Sequence, residues 1–184
     1  MAATDPLADP AELAVWLGVP ADDPKLLAAL TAASRRFRGA VGHPVTAVQG
    51  DAIVLDGNGR TEILLPAAPV TAVTGVALSG TALAEGADFT WSADGYLHRT
   101  GCQTWPAVLR CLAVTYDHGY TAVPEDIQEA VTDQARSMYR VQPGIQAYTA
   151  GSESVTFGAT AAIGVTSQWS AAVARHRLGT AEDT

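Results

Sequence analysis

Apolar residues recur along the chain at two periods, and the changes of period divide it into helical and extended stretches. Asp9-Pro10 reads as a helix start, with Asp9 capping and Pro10 at the first helical position. Leu13, Trp16 and Leu17 are expected on its buried face, and Gly18 and Pro20 end it. Asp23-Pro24 repeats the signal and opens a longer helix over 24–41. Its stripe, Leu26, Leu30, Ala33, Phe37 and Val41, steps by four, three, four and four, the period of a helix buried along one side. Gly42 and Pro44 stop it.

Over 45–120 the character changes to short runs of Val, Ile, Leu and Thr punctuated by Gly and Pro. Runs at 52–55 and 61–65 flank Asp56-Gly57-Asn58-Gly59, which predicts a hairpin because those residues tolerate positive φ. A strand is expected over 70–78. A second hairpin is expected where 89–91 and 96–99 flank Ser92-Ala93-Asp94-Gly95, and the last and longest strand over 108–116. Helix returns at Pro124. Glu125, Asp126 and Glu129 place negative charge at the positive end of its dipole, and Arg136 and Arg140 lie near the other end. Its stripe is Ile127, Val131, Gln134, Met138 and Val141, and Pro143-Gly144 ends it. A Ser/Thr/Gly-rich stretch over 151–165 contains a short strand at 154–157. A final helix over 167–178 carries Trp169, Val173 and His176 on one side, and 180–184 is a polar tail.

This order predicts an α+β chain: a small bundle of three to four helices with an inserted antiparallel β module of five or six strands. The expected divisions are N-terminal helices (1–44), β module (45–120), core helix (121–144) and C-terminal arm with final helix and tail (145–184). Strands and helices do not alternate, which argues against a doubly wound sheet.

Composition narrows the function classes. Of 184 residues, 48% are hydrophobic and 16% charged, too apolar and too sparsely charged for a disordered chain. No run approaches the roughly 20 apolar residues that cross a bilayer. Residues 1–10 have neither a basic region nor an apolar run, so no secretory signal is expected there. Eleven basic residues face 19 acidic ones, a net charge of −8. Such a chain is a poor general binder of DNA or anionic lipid. Lys25 is the single lysine. The preference for arginine suits forked contacts with carboxylates, although GC-rich coding would produce the same bias. Cys102 and Cys111 lack zinc-ligand spacing and read as small apolar residues in a reduced compartment.

Candidate chemistry is sparse. Gly57-Asn58-Gly59 precedes a strand where a phosphate loop needs a helix. Asp51, Asp56 and Asn58 lack the alternating ligands and closing Glu of a calcium loop. His43, His98 and His118 are dispersed. In Tyr116-Asp117-His118-Gly119-Tyr120, Asp117 and His118 point to opposite faces of a strand, and the tyrosines are expected to pack where the β module meets the helices. No serine sits in a nucleophile elbow. No catalytic, cofactor-binding or metal-ligating residue is therefore assigned, and no enzymatic activity is expected; a small hydrolase lacks a nucleophile–base pair. Arg35, Arg36 and Arg38 form the basic run of an exposed helix face. They are candidates to meet carboxylates of another copy of the chain, such as its acidic N-terminal segment, because one acidic and one basic surface make a head-to-tail contact. Trp91, Tyr96 and Trp105 offer aromatic platforms for the alternative reading, a β-rich carbohydrate- or ligand-binding module of a phage tail or cell surface.

Two segments resemble a known family. Val114-Thr115-Tyr116-Asp117-His118-Gly119-Tyr120, followed by Val123-Pro124-Glu125-Asp126-Ile127-Gln128-Glu129-Ala130, is similar to a junction in the head–tail connector (adaptor) proteins of long-tailed bacteriophages and gene transfer agents. There a Gly-Tyr turn leads through Val-Pro into an acidic-capped helix. The opening Asp9-Pro10-Ala11-Glu12-Leu13-Ala14 and the Asp23-Pro24 helix with its arginine-rich end resemble the same family. The resemblance implies a virion structural protein of the neck, assembled in the bacterial host cytoplasm. It implies a homo-oligomeric, twelvefold ring below the portal protein, joined to stopper or tail-completion proteins, with genome DNA passing through the channel without sequence-specific binding. Carried onto this chain, it implies a ring body at 10–41 and 124–141. Arg35, Arg36, Arg38, Glu125 and Glu129 become subunit-interface candidates. A portal-facing arm at 151–178 carries Trp169, Arg175 and Arg177. The large β module departs from the family's compact members.

Overall fold

The computed structural model describes residues 5–140, 147–150, 153–156 and 166–179. The chain is α+β and separates into two compact units. Of the described residues, one unit is helical and joins 5–41 to those within 123–176; the other spans 42–122 together with 177–179.

The helical unit holds α1 (Pro10–Leu17), α2 (Pro24–Val41), α3 (Glu125–Arg140) and α4 (Ser167–His176). Its starts are capped as their sequences dictate. Asp9 Oδ1 accepts from the Ala11 amide at 2.8 Å, and Asp23 Oδ1 from the Leu26 amide at 2.8 Å. Gly18 closes α1 at φ 67° and donates to the Ala14 carbonyl. α2 and α3 each pack against the other three helices. All five stripe residues of α2 are buried, and Ile127, Ala130, Val131 and Ala135 of α3 with them. The preceding segment is pinned down: the Leu7 amide donates to Ser34 Oγ, which donates to the Leu30 carbonyl, and Leu7 is fully buried. The expected face of α1 is corrected. Leu13 and Ala14 are buried, whereas Trp16 is 67% exposed. A helix of eight residues hides only a narrow strip, and the small Ala14 fits it more closely than an indole does.

The second unit contains two antiparallel sheets. β1 (Val48–Leu55), β7 (Leu112–His118), β3 (Val70–Leu78) and β4 (Thr81–Ala82) form one, in that spatial order. β2 (Glu62–Leu64), β6 (Tyr96–Arg99) and β5 (Phe89–Trp91) form the other. Val76, Leu112, Val114 and Tyr116 from the first sheet share one core with Ile63, Phe89 and Leu97 from the second, and with Trp105. The 92–95 turn closes a hairpin between β5 and β6. The expected hairpin at 56–59 does not form: β1 pairs with β7 and β2 with β6. The turn is a corner that carries the chain from one sheet to the other. Gly57 and Gly59 donate to the carbonyls of Val108 and Trp105, and Asp56 Oδ1 accepts from the Arg110 amide. The last strand also starts later than expected, at Leu112. Residues 108–111 form a loop with Arg110 at φ 52° and Val108 and Leu109 exposed, because this loop packs on the corner.

A two-stranded sheet of β8 (Ala147–Ala150) and β9 (Glu153–Thr156) precedes α4. Val141, Pro143-Gly144, most of the 151–165 stretch and the 180–184 tail lie outside the described residues.

Candidate functional site

The polar clusters of the β unit are spent on the fold. His118 is 1% exposed; its Nε2 lies 3.2 Å from Asp51 Oδ2 on the neighbouring strand, and its ring lies 4.8 Å from that of Tyr116. Asp117, adjacent in sequence, points the other way and accepts from the Gly50 amide at a β-bulge. Burial first, and then the Asp51 charge, push the pKa of the Tyr116 hydroxyl up to about 12, with the nearby Ala67 backbone opposing them, so it stays protonated. Tyr116 is buried in the β core itself. His43 is buried with Nδ1 2.9 Å from the Pro44 carbonyl oxygen, and His98 pairs on the surface with Glu62 at 3.2 Å. Among the described residues, no three His, Cys, Asp or Glu side chains gather in a way that could hold a metal ion. Cys111 is buried and Cys102 exposed, both as free thiols.

The three aromatic platforms separate. Trp91 and Tyr96 line a hollow on the three-stranded sheet with Arg60, Glu62, Thr90 and His98. Trp91 is tethered there by donating Nε1–H to Glu85. Trp105 is no platform: it is fully buried, donates to the Leu97 carbonyl and carries the Arg99 guanidinium over its ring at 5.3 Å.

The helical unit carries the exposed chemistry. Its basic run divides. Arg35 and Arg36 are exposed on α2. Arg38 is half-buried and donates to the Asp5 carbonyl at 2.8 Å. Burial lowers its pKa from the usual arginine value, and the Asp5 carboxylate opposes that shift. Glu125 and Glu129 are exposed on α3. Together with Asp133 they form a ridge of carboxylates four residues apart. Glu12 and Trp16, also four apart, form a second ridge on α1. Between the two lies an open groove closed at one end by Arg136, whose guanidinium sits 5.5 Å from the Trp16 ring centre. Sequence reasoning missed this groove because it placed Trp16 inside. The i, i+4 carboxylates of α3 were the available signal.

At the C-terminal end, Trp169 is 6% exposed and meets Phe37 edge-on at 5.3 Å, so its indole belongs to the helical unit's own core. Asp126 anchors the end of α4. Its Oδ2 accepts from Arg175 Nη1 at 2.8 Å and lies 3.0 Å from His176 Nε2, while Oδ1 accepts from the Ile127 amide. Arg175 keeps most of its surface exposed, and Arg177 is exposed.

The arrangement therefore offers surfaces for contact. The chain is similar in fold to a subunit in the neck of a native gene transfer agent (GTA) particle computed with C12 symmetry. The TM-score is 0.59 at 22% identity, covering 100% of this chain and 96% of that one. A subunit in the neck of an empty GTA particle computed with C6 symmetry gives 0.59 at 21% identity, covering 100% and 94%. A chain of the native GTA virion gives 0.57 at 19%, covering 95% and 91%. None of the curated proteins compared matches the chain. The profile of the head completion proteins matches residues 14–177, so nearly the whole chain is accounted for, and it belongs to the head completion protein family, structural virion proteins rather than enzymes.

Proposed function

We propose that this chain is the adaptor subunit of a virion neck: copies assemble as a ring below the portal, extend the DNA channel and receive stopper or tail-completion proteins. The observation that carries this reading is the match of residues 14–177 to head completion proteins. The full-length likeness of fold to subunits of GTA necks, one of them computed with C12 symmetry, supports a closed ring, twelvefold in the native particle. The chemistry of the chain is compatible with the role. A net charge of −8 suits a wall past which DNA slides without being held.

In this reading the helices of 10–41 and 124–141 form the ring body. Arg35, Arg36, Arg38, Glu125 and Glu129 serve subunit contacts, and the segment 151–178 faces the portal. Arg175 and Arg177 supply its exposed charge, while Trp169 acts indirectly by holding α4 against Phe37. Cryo-electron microscopy of purified particles tests the proposal. A ring of this chain between portal and tail is the expected density. Intact particles that lack the chain would overturn it.

A further inference from the structure

We infer that the groove between α1 and α3 is a socket for the Arg35 and Arg36 side chains of a second copy. The inference rests on the ring reading and names the contact that would close the ring. The groove presents four carboxylates, Glu12, Glu125, Glu129 and Asp133, against one guanidinium, Arg136. Carboxylates at i, i+4 on an exposed helix repel one another, a cost that an incoming cation removes. Trp16 stands in the same groove, 67% exposed although Arg136 lies over its ring. An aromatic face beside carboxylates is the environment that a guanidinium fills best, by stacking and by forked hydrogen bonds together.

The complementary surface is on the same helical unit. From Ala32 onward, the exposed positions of α2 are Ala32, Arg35, Arg36, Gly39 and Ala40. A Cβ on Gly39 would meet nothing within 4 Å. The two arginines thus rise from a face of small residues that lets another helix approach closely. Socket and arginines are different surfaces of one chain, so their contact is head-to-tail, the kind that closes into a ring. A second copy is therefore the occupant that the charges favour.

The test uses the full-length chain in sedimentation equilibrium, with circular dichroism to check folding. Three variants are compared: R35E/R36E, which spoils the arginines; E125R/E129R, which spoils the socket; and the fourfold variant carrying both. Each double variant alone is expected to weaken self-association at least about tenfold. The fourfold variant is expected to regain it, because the charges are exchanged across the contact. Mixing the two double variants restores complementary charge at both contacts, arginines into the native socket and glutamates into the charge-reversed one, so the mixture should associate as alternating copies although neither variant does so alone. W16A should weaken association by about thirtyfold with its circular dichroism unchanged. Wild-type chain that stays monomeric at high concentration, folded double variants that associate like wild type, or a fourfold variant that stays dissociated would each overturn the socket. None of these outcomes touches the neck reading, which is tested by the composition of the particle.

Discussion

Two tryptophans in the helical unit have opposite fates, and the difference is one of depth. Trp169 is nearly enclosed and meets Phe37 edge-on, so Trp169→Ala leaves a cavity beside α2. The expected loss of stability is about 3–5 kcal/mol. Trp16→Ala removes a mostly solvated ring and its contact with Arg136, and should change stability by no more than about 0.5 kcal/mol. Urea unfolding of the two variants checks the contrast. Asp126 adds a pH dependence. Burial raises its pKa, but hydrogen bonds from His176 and Arg175, the His176 charge and the Ile127 amide outweigh that and hold it below the usual aspartate value of 3.8. A carboxylate whose folded pKa is depressed contributes stability that is complete above its unfolded pKa and is lost as pH falls through the folded one. Asp126→Asn should therefore cost about 1 kcal/mol at pH 7, a modest figure because Arg175 is solvated. The gap between variant and wild type should shrink as the pH falls below 3.8. Unfolding free energies measured at both pH values give the answer.

At the scale of elements, helices were read more faithfully than strand partners. The bounds of α2 and the caps of α1 and α2 follow from local chemistry: a carboxylate before a proline, a four-three-four-four stripe, a glycine at the end. Such signals act within one turn of helix, where sequence neighbours are spatial neighbours. The corner at 56–59 shows the limit. Asp56-Gly57-Asn58-Gly59 says that the chain turns, but not whether the flanking strands face each other or belong to different sheets. That choice depends on residues about fifty positions away. The Gly57 amide donates to the Val108 carbonyl, and a Cβ at Gly57 would lie 1.7 Å from the Pro106 carbonyl oxygen. Gly57 is thus needed for close approach of two backbones. Gly57→Ala should force the 105–111 loop off the corner and cost about 2–3 kcal/mol, whereas Gly80→Ala, in open space at φ 86°, bears only its backbone strain of about 1 kcal/mol. Thermal unfolding ranks the two. The candidate socket was half legible for the same reason. Glu125 and Glu129 stand out along α3, but Glu12 and Trp16 join them only once α1 has packed against that helix.

For the whole molecule, the question is whether association follows net charge or the placement of charge. Copies that each carry −8 repel at long range, and salt screens that repulsion beyond about 10 Å at 0.1 M. If net charge governed assembly, the two double variants would move in opposite directions. R35E/R36E makes the chain four charges more negative and should then associate less. E125R/E129R makes it four charges less negative and should then associate more. If socket and arginines govern it, both must lose association, since each removes one half of the same contact. The fourfold variant has the wild-type net charge, so its recovery reports placement alone. Salt separates the two effects again. Groups a few ångströms apart across a contact lie inside the screening length and stay coupled, while the repulsion between whole subunits fades. Wild-type association is therefore expected to rise from low to moderate salt and to fall only at high salt. E125R/E129R should stay dissociated throughout, although its charge repels least. Sedimentation equilibrium across a salt series reads both curves, and tighter association of E125R/E129R than of wild type would assign the effect to net charge.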